Sequence, residues 1–224
     1  LTKGEKDQLF ETVILRYENR VSLFLSSQVG CKRACSFCQT GKLGFFRNLK
    51  AYEIVGQFLL AQEIVAEEKK NISHMVFMGM GEPFDNFKEV IKALKAFTGK
   101  NSYHFSPRRI TVSTVGIPEK IVELAETVPT RLALSLHIAC DEERSKIMPV
   151  NRRHPLEELK QALLKYQKLS TQKITIEYLL IKGLNDSISH AKKLVRFLDR
   201  VKAKVNLIPF NSHPGMKYQR PETA

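Results

Sequence analysis

Three of the four cysteines in this chain of 224 residues lie within eight positions, in the pattern Cys31-x3-Cys35-x2-Cys38. Thiolates at this spacing can converge from one loop on a single soft metal centre. A tetrahedral zinc site usually takes a fourth protein ligand, and no second C-x2-C or H-x3-H pair follows. A 4Fe–4S cluster held by three cysteines keeps one iron open for a small molecule, so the loop indicates chemistry at a metal. The alternative of three packed or oxidised thiols does not explain such clustering in a cysteine-poor chain.

Length and composition favour one large domain or two small ones, because 224 residues with 43% hydrophobic content suffice for a substantial core. No apolar run reaches the roughly eighteen residues of a membrane span, and no signal peptide opens the chain. The cysteines do not form a disulfide framework, so we expect a reducing, cytoplasmic location without membrane association. The first residue is Leu1, and residues 220–224 close no obvious element, which suggests a segment trimmed from a longer protein.

The chain is strongly basic, with 36 Lys and Arg against 23 Asp and Glu and a net charge of +13. Such an excess favours a polyanionic partner, and nucleic acid is the first candidate. Charge alone leaves open the alternative of a merely basic surface.

Apolar segments alternate between strand and helix patterns along the chain. Strands are predicted at 21–26, 74–78, 109–113, 131–136, 173–181 and 204–208, and helices at 51–68, 86–97, 118–127, 156–169 and 187–200. Pro118 opens the third of these helices, Ser187 caps the last one, and Pro209 stops the last strand. Six strand–helix units, the last incomplete, imply a parallel sheet with helical crossovers, either doubly wound or closed wholly or partly into a barrel. No G-x-G-x-x-G follows the first strand, which weakens a dinucleotide-binding fold. We interpret residues 1–20 as a lead-in segment and 21–224 as one domain.

The residues suited to chemistry all follow predicted strand ends. The cysteines follow the first strand, the Gly79–Pro83 segment follows the second, and Ser113 ends the third. The later positions on this rim are Ser135 to His137, Asn185-Asp186 and Asn211. Because the carboxyl ends of the strands carry the active site in a parallel β/α barrel, six such placements predict a site at one rim.

Each rim residue has a chemical use and a simpler alternative. Glycines let the backbone approach a ligand closely, and Glu82 can accept hydrogen bonds from an ammonium group. Ser113, Ser135 and Asn211 can hydrogen-bond a ribose or a carboxylate, while His137 can donate, accept or titrate near neutrality. The alternatives are a plain turn for the Gly-rich segment, a satisfied core histidine for His137, and no special role for the serines.

The cysteine loop, with Phe37 before its last cysteine, resembles the signature of the radical S-adenosylmethionine superfamily. Longer stretches resemble a narrower family, the adenine-C2 RNA methyltransferases of the RlmN/Cfr type. These stretches are 26–31, 40–42, 47–49, 53–54, 77–83, 109–116, 134–137, 148–153 and 206–211. The resemblance extends from about Glu11 to Asn211, which is nearly the whole chain.

The resemblance implies a partial (β/α)6 barrel of the TIM type with Cys31, Cys35 and Cys38 holding a 4Fe–4S cluster. It implies that S-adenosylmethionine binds the open iron and is cleaved to a 5′-deoxyadenosyl radical, which starts methylation of adenine C2 in rRNA or tRNA. By matching position, the S-adenosylmethionine site comprises Gly81, Glu82, Ser113, Ser135, Leu136, His137 and Asn211. Glu11 matches a glutamate proposed as the proton acceptor at the target adenine.

Two positions depart from the family pattern. The resolving cysteine of the family, seven residues before Cys31, is replaced by Phe24, and a phenyl ring can neither deprotonate nor form a disulfide. The methyl-carrying cysteine of the family lies beyond Asn211, and none follows up to Ala224. Cys140 is the remaining thiol, and a buried inert cysteine is the simpler interpretation of it.

The same resemblance implies an RNA substrate, and basic residues near the rim motifs fit one. These are Lys32, Arg33, Lys42, Arg47, Arg108, Arg109, Arg152 and Arg153. We also expect a reducing partner such as a flavodoxin or ferredoxin, and a monomeric protein. Two alternatives stay open: a radical enzyme with another substrate, which Phe24 motivates, and a non-catalytic zinc-binding RNA module.

Overall fold

The computed structural model describes residues 1–4, 8–212 and 215–222. Part of the predicted lead-in and the predicted domain end at Ala224 lie outside the described residues. The strands are β1 (Thr2–Lys3), β2 (Leu9–Phe10), β3 (Val13–Tyr17), β4 (Arg20–Phe24), β5 (Gln28–Gly30), β6 (Phe45–Asn48), β7 (His74–Phe77), β8 (Ile110–Thr114), β9 (Arg131–Ser135), β10 (Ile174–Leu180) and β11 (Ala203–Pro209).

The helices are α1 (Gln39–Lys42), α2 (Ala51–Glu67), α3 (Phe87–Thr98), α4 (Pro118–Thr127), α5 (Asp141–Ile147), α6 (Leu156–Leu169) and α7 (Ile188–Phe197). Pro118 occupies the first turn of α4, and the Ser187 hydroxyl caps α7 by accepting from the His190 amide, as the sequence predicts. Within the described residues, no helix is long and apolar enough to cross a bilayer.

One curled sheet organises the molecule, with the strand order β11-β10-β9-β8-β7-β4-β3. In the described part of the chain, six strands of this sheet pair in parallel, namely β4, β7, β8, β9, β10 and β11, and β3 joins the edge antiparallel to β4. Helices α2, α3, α4, α6 and α7 form the crossovers between successive parallel strands. The predicted fold, a partial (β/α)6 barrel, is confirmed.

The two faces of this sheet differ in burial. The side chains that face the helices are apolar and almost completely buried, as with Ile110, Val112 and Leu132, each 0% exposed. Burial of such a side chain stabilises the fold by about 1.5–3 kcal/mol. The opposite, concave face carries polar side chains such as Ser113 and Ser135, because residues alternate between the faces of a strand. The sheet therefore offers its concave face to ligands.

Three local features differ from the sequence expectation. Helix α5, with the sequence DEERSKI, was not predicted, because a run so short and charged carries no clear apolar period. The hairpin of β5 and β6 was also missed, since its two short strands are separated by the whole cysteine loop. Pro209 does not stop the last strand but is its final residue, which β11 tolerates as a sheet edge.

Candidate active site

The cysteine loop connects the antiparallel strands β5 and β6. At its start, the Cys31 amide donates to the carbonyl oxygen of Gly44 at 2.8 Å. Gly30 has a φ of +76°, and a Cβ there would lie 2.0 Å from that same carbonyl oxygen. Only glycine therefore lets the two strands close over the base of the loop.

The middle of the loop is fastened to α5 and to the C-terminal segment. The Ser36 amide donates to the Ile147 carbonyl oxygen at 3.0 Å, and the Ser36 hydroxyl lies 2.7 Å from the Tyr218 hydroxyl. The Cys38 amide turns back to the Cys35 carbonyl oxygen at 3.0 Å. These bonds hold the loop in a fixed shape before any ligand arrives.

All three cysteines line one cavity of about 130 Å³ beneath the loop. Burial raises the pKa of Cys31 to about 11 and that of Cys35 to about 12, and nearby thiols add to the shift. The buried thiols are therefore protonated at neutral pH without a cation. Iron bound there displaces those protons, since the thiolate is the metal ligand.

The donor set fits a 4Fe–4S cluster, because three thiols line this cavity and, among the described residues, no other His, Cys, Asp or Glu side chain lines it apart from Glu82 and His137. A zinc ion needs its sulfur ligands at about 2.3 Å. Here the three thiols instead surround a shared space, an arrangement that suits sulfur ligands on separate irons of a 4Fe–4S cluster.

A second cavity, of about 230 Å³, lies against the carboxyl ends of β7, β8, β9 and β10. It continues into the cysteine cavity, because both are lined by Gly79, Gly81, Glu82, Val115, Ser135 and His137. A molecule in this second cavity, which we call the inner cavity, can therefore reach the space between the thiols.

Gly81 and Glu82 lie where the two cavities meet. Gly81 has a φ of +96°, and a Cβ there would lie 2.5 Å from the Gln28 side chain. The Gln28 Oε1 accepts the Glu82 amide at 2.9 Å and so fixes this turn. Glycine is required at position 81 both for backbone geometry and for this close approach.

The Glu82 carboxylate is 3% exposed and accepts two backbone amides, from Phe84 at 3.0 Å and from Val115 at 2.8 Å. Burial nevertheless raises the pKa of Glu82 to about 7. A carboxylate of this kind gains from a cationic ligand, because an ammonium group compensates the lost solvation of the ionised form.

Four polar side chains form a row across the concave face at this end of the sheet. Ser135 lies opposite Glu177, Glu177 lies opposite Asn206, and Ser113 belongs to the same face two strands away. The Asn206 Nδ2 donates to one carboxylate oxygen of Glu177 at 2.7 Å. Glu177 is 8% exposed and lines the inner cavity. The row offers hydroxyl and carboxylate partners to one bound molecule.

His137 is held as a neutral side chain. Its Nδ1 accepts the Leu179 amide at 3.1 Å, which assigns the ring proton to Nε2. Burial, together with the Arg144 cation, lowers the pKa of His137 to about 3. The ring meets Phe37 of the cysteine loop edge to face, with 4.8 Å between centroids. His137 therefore acts as a hydrogen-bond donor at neutral pH and carries no charge.

Arg144 ties the rim together from behind. Its guanidinium is fully buried and donates to the carbonyl oxygens of Val115 at 2.6 Å, Leu136 at 3.0 Å and Ser135 at 3.2 Å, and to Asn151 Oδ1 at 2.7 Å. Burial lowers the pKa of Arg144 only to about 10, so it stays charged. The loops after β8 and β9 are thus fixed to α5.

Of the residues predicted from the sequence, Cys31, Cys35, Cys38, Gly81, Glu82, Ser113, Ser135 and His137 all line the two cavities. Leu136 is completely buried beside them and contributes its backbone. Glu177 and Arg144 were missed. A glutamate inside an otherwise apolar strand was a signal for the first, whereas Arg144 has no comparable signal in its local sequence.

The structure does not bring the other predicted residues into the cavities. Asn211 is exposed just after β11, and neither cavity is lined by it. Glu11 is exposed before β3, although its carbonyl oxygen accepts the Ser26 hydroxyl at 2.5 Å near the rim. Phe24, the last residue of β4, lies opposite Val76 on the concave face and lines neither cavity. Cys140 packs against the same small apolar cluster as Cys35 but lines neither cavity.

The basic residues near the cysteine loop are occupied inside the protein. Arg33 pairs with the Asp85 carboxylate, with Nε 2.6 Å from Oδ2. Arg47 pairs with Glu53 at 2.7 Å. Lys42 donates to the Gly215 carbonyl oxygen at 2.9 Å. These side chains position the loop, so the idea that they surround an RNA as free cations is not supported.

Fold and site define a half-barrel α/β protein with a three-cysteine cluster loop at its carboxyl rim. The sequence model of the Radical SAM superfamily matches residues 25–198, and the chain belongs to this superfamily. Membership implies a 4Fe–4S cluster and S-adenosylmethionine as cofactors, in agreement with the donor set.

Comparison with known proteins also confirms the narrower resemblance. The chain is 45% identical to the probable dual-specificity RNA methyltransferase RlmN of Fervidobacterium nodosum, over 99% of this chain and 64% of that protein. It is 45% identical to RlmN of Geotalea uraniireducens, over 94% of this chain and 60% of that protein. A crystal structure of a radical SAM methyltransferase from Sphaerobacter thermophilus superposes with a TM-score of 0.95 at 40% identity, covering 98% of this chain and 65% of the other. The chain thus spans under two thirds of these relatives.

Proposed function

We propose that this chain forms the catalytic core of a radical S-adenosylmethionine RNA methyltransferase that acts on C2 of adenine in rRNA or tRNA. The observation that carries the proposal is the continuity of the two cavities. The thiols that would hold the cluster and the polar row that would hold S-adenosylmethionine line one connected space. When bound, the cluster supplies the electron that cleaves S-adenosylmethionine to the 5′-deoxyadenosyl radical.

The protein's own residues would bind and orient the cofactor. The Glu82 carboxylate lies beside the thiol cavity and is the partner for the ammonium group of the methionyl end. The Ser135 hydroxyl, where the two cavities meet, and the Ser113 hydroxyl, in the larger cavity, would donate hydrogen bonds to carboxylate or ribose oxygens. His137 donates from Nε2 and, being neutral, neither repels the cationic sulfonium nor takes up a proton during turnover.

Roles for Glu11 and Asn211 rest on the family match alone. In this proposal Glu11 accepts a proton at the target adenine and Asn211 contacts S-adenosylmethionine. Both residues are exposed and therefore accessible to a bound RNA. A base within structured RNA has to be splayed out to reach the cavity mouth.

Radical generation is tested by anaerobic reconstitution with iron and sulfide, followed by addition of a reductant and S-adenosylmethionine. We expect about four irons per chain, as a 4Fe–4S assignment requires, and release of 5′-deoxyadenosine. An intact cluster without cleavage contradicts the radical mechanism. Zinc at about one per chain without iron, in anaerobically purified protein, supports the zinc-binding module instead.

The RNA substrate is tested in cells that carry or lack the full-length gene. Mass spectrometry of digested rRNA and tRNA measures 2-methyladenosine, and we expect it to fall on deletion and return on complementation. An unchanged level, with 5′-deoxyadenosine still formed by the purified protein, favours a radical enzyme acting on another substrate. Phe24, in place of a thiol, is the observation that motivates that second candidate.

A further inference from the structure

The amino end of the sheet carries basic side chains on the concave face. Arg20, His74 and Arg131 are the first residues of β4, β7 and β9, and Arg109 directly precedes β8. Register fixes their common face, because Ser22 lies opposite His74, Met75 opposite Ile110, and Thr111 opposite Arg131. Paired residues of parallel strands point to the same side, and so do residues two apart. Arg20, His74 and Arg131 therefore point to the concave side, at the end remote from the cysteines, and Arg109 ends the short 3-10 turn (Pro107–Arg109) that leads into β8.

The three guanidinium groups act on the same small region. After burial, the cations of Arg20, Arg131 and Arg109 are the causes that lower the pKa of His74. No ion pair within the described residues joins Arg20, Arg109 or Arg131 to a carboxylate. The Arg20 guanidinium instead lies 4.2 Å from the centroid of the Tyr17 ring, on the same face. This end of the sheet carries positive charge without internal compensation.

Four other arginines of this chain have internal partners. Arg16 pairs with Glu68, Arg33 with Asp85 and Arg47 with Glu53, while Arg144 donates to four oxygen atoms. The arginines at this end belong to β4, to β9 and to the turn before β8, so an anion held there would reduce the repulsion between their like charges. Guanidinium forks match the oxygens of a phosphate group in particular, through bidentate charge-assisted hydrogen bonds.

We propose that Arg20, His74, Arg109 and Arg131 form a binding site for a phosphate group at the amino end of the half-barrel. The ligand is a phosphodiester of an RNA backbone or a phosphate monoester of a small molecule, since both present the same oxygens. Lys173 and Lys202, which directly precede β10 and β11, extend the basic surface along the sheet. The site lies outside both cavities of the active site and is independent of radical chemistry.

Inorganic phosphate is the first probe, with the His74 ring as the reporter. Histidine-labelled protein is titrated with phosphate at constant ionic strength and followed by NMR, with His74→Asn used for assignment. We expect a saturable shift of the His74 signals and a rise of the pKa of His74, because a bound anion favours the imidazolium form. Shifts that follow chloride and phosphate equally, without saturation, overturn the proposal.

Two double variants distinguish binding at the proposed site from a general effect of the net charge of the protein. The Arg109→Gln/Arg131→Gln double variant should bind phosphate at least ~10-fold more weakly, the effect of losing charge-assisted hydrogen bonds. The control, Lys88→Gln/Lys192→Gln, removes the same charge at exposed positions near the starts of α3 and α7, toward the carboxyl end of the sheet, and should stay within about twofold because distant surface charges are screened. Arg131→Lys should retain part of the affinity, and thermal melts confirm that each variant is folded. Equal losses in the double variant and in its control overturn the proposal.

Competition identifies the source of the phosphate. If an RNA backbone occupies the site, single-stranded RNA displaces phosphate, and the double variant lowers the slope of log affinity against log salt by about 1.4. If only a 5′-mononucleotide displaces phosphate, the site serves a small phosphate ester. Both outcomes support the phosphate site. Iron content and binding of S-adenosylmethionine are measured on the same variants and report the proposed function separately.

Discussion

The two ends of the concave face carry opposite chemistry on the same strands. At the carboxyl end, acidic and hydroxyl side chains such as Glu82, Ser113 and Glu177 are buried around a cavity that leads to the thiols. At the amino end, Arg20 and Arg109 are exposed, Arg131 is half-buried, and none of the three has a carboxylate partner within the described residues. At the carboxyl end, a polar side chain such as Glu82 is hydrogen-bonded to backbone amides. At the amino end, the arginine side chains are accessible to solvent or to a ligand.

This difference follows from how a parallel sheet is connected. Loops after the strands come from the carboxyl end and carry residues over the rim, where they can enclose a ligand and exclude water. Burial there shifts pKa values, as for Glu82 and His137. The amino end lacks that enclosure, so its arginines keep their charge and interact at longer range. The carboxyl end is therefore suited to an enclosed reaction, and the amino end is suited to binding an anion.

The largest expected effect at the carboxyl end comes from Cys35→Ser. The hydroxyl cannot replace a thiolate on iron, so reconstituted protein should fall from about four irons per chain to below one, with no 5′-deoxyadenosine formed. Cys140→Ser is the matched control, because Cys140 lines neither cavity, and it should retain its iron. Iron analysis and product chromatography measure both. Phosphate binding at the amino end should be unchanged in either variant; its loss in Cys35→Ser would show that the two ends are coupled.

The next effect concerns Arg144, which fixes the rim but touches neither cavity. Arg144→Met leaves three backbone carbonyl oxygens and Asn151 without their donor, so we expect a loss of about 3–5 kcal/mol in the free energy of unfolding. Denaturant titration measures this. Arg200→Met, at an exposed arginine after α7, is the control and should change stability by less than about 0.5 kcal/mol. A loss below 1 kcal/mol for Arg144→Met would mean that the rim does not depend on this network.

Glu82 gives a prediction about pH. The pKa of Glu82 is about 7 in the folded protein against 4.5 in its ordinary range, so the folded state holds an extra proton between these values. The free energy of unfolding should therefore decrease as pH rises from about 4.5 to 7. A cationic ligand favours the ionised carboxylate, so binding of S-adenosylmethionine near pH 6 should release a proton.

Glu82→Gln should remove both effects and weaken S-adenosylmethionine binding by about 10–100-fold, the effect of losing a hydrogen-bonded charge. Calorimetry in buffers of different ionisation enthalpy measures the released proton. Glu89→Gln, at the start of α3 and away from the cavities, is the control. Proton release that persists in Glu82→Gln would assign the titration to another group.

Sequence patterns predicted much of this molecule, for identifiable reasons. The strand–helix alternation follows from apolar periodicity, and Pro118 and Ser187 gave correct helix starts because their effect is local. The rim placement of Glu82, Ser135 and His137 follows from the rule that loops after parallel strands meet at one end.

The missed features depend on contacts between distant residues. The bonds of Arg144 to Val115 and Ser135 span 29 and 9 positions, and no local pattern encodes them. Glu177 is fixed by Asn206 on the neighbouring strand, so its role appears only once the register is known. Whether a basic side chain is paired with a carboxylate also depends on tertiary contacts, and local sequence does not show it. Arg33 and Arg109 are indistinguishable in sequence, yet only Arg33 meets a carboxylate, Asp85, in the described structure.

The smallest expected effect concerns Phe24, the last residue of β4, on the concave face. Phe24→Cys introduces a thiol at the position where the family resemblance implies a resolving cysteine. Because neither cavity is lined by Phe24, iron content and 5′-deoxyadenosine formation should stay within about twofold, and partial loss of apolar contacts should cost about 1–2 kcal/mol. Phe24→Ala is the control that removes the ring without adding a thiol. If Phe24→Cys, and not Phe24→Ala, changes the products formed from S-adenosylmethionine, then the middle of the concave face belongs to the reaction. The reactive region at the carboxyl end would then include Phe24 and reach closer to Arg20, at the other end of the same strand.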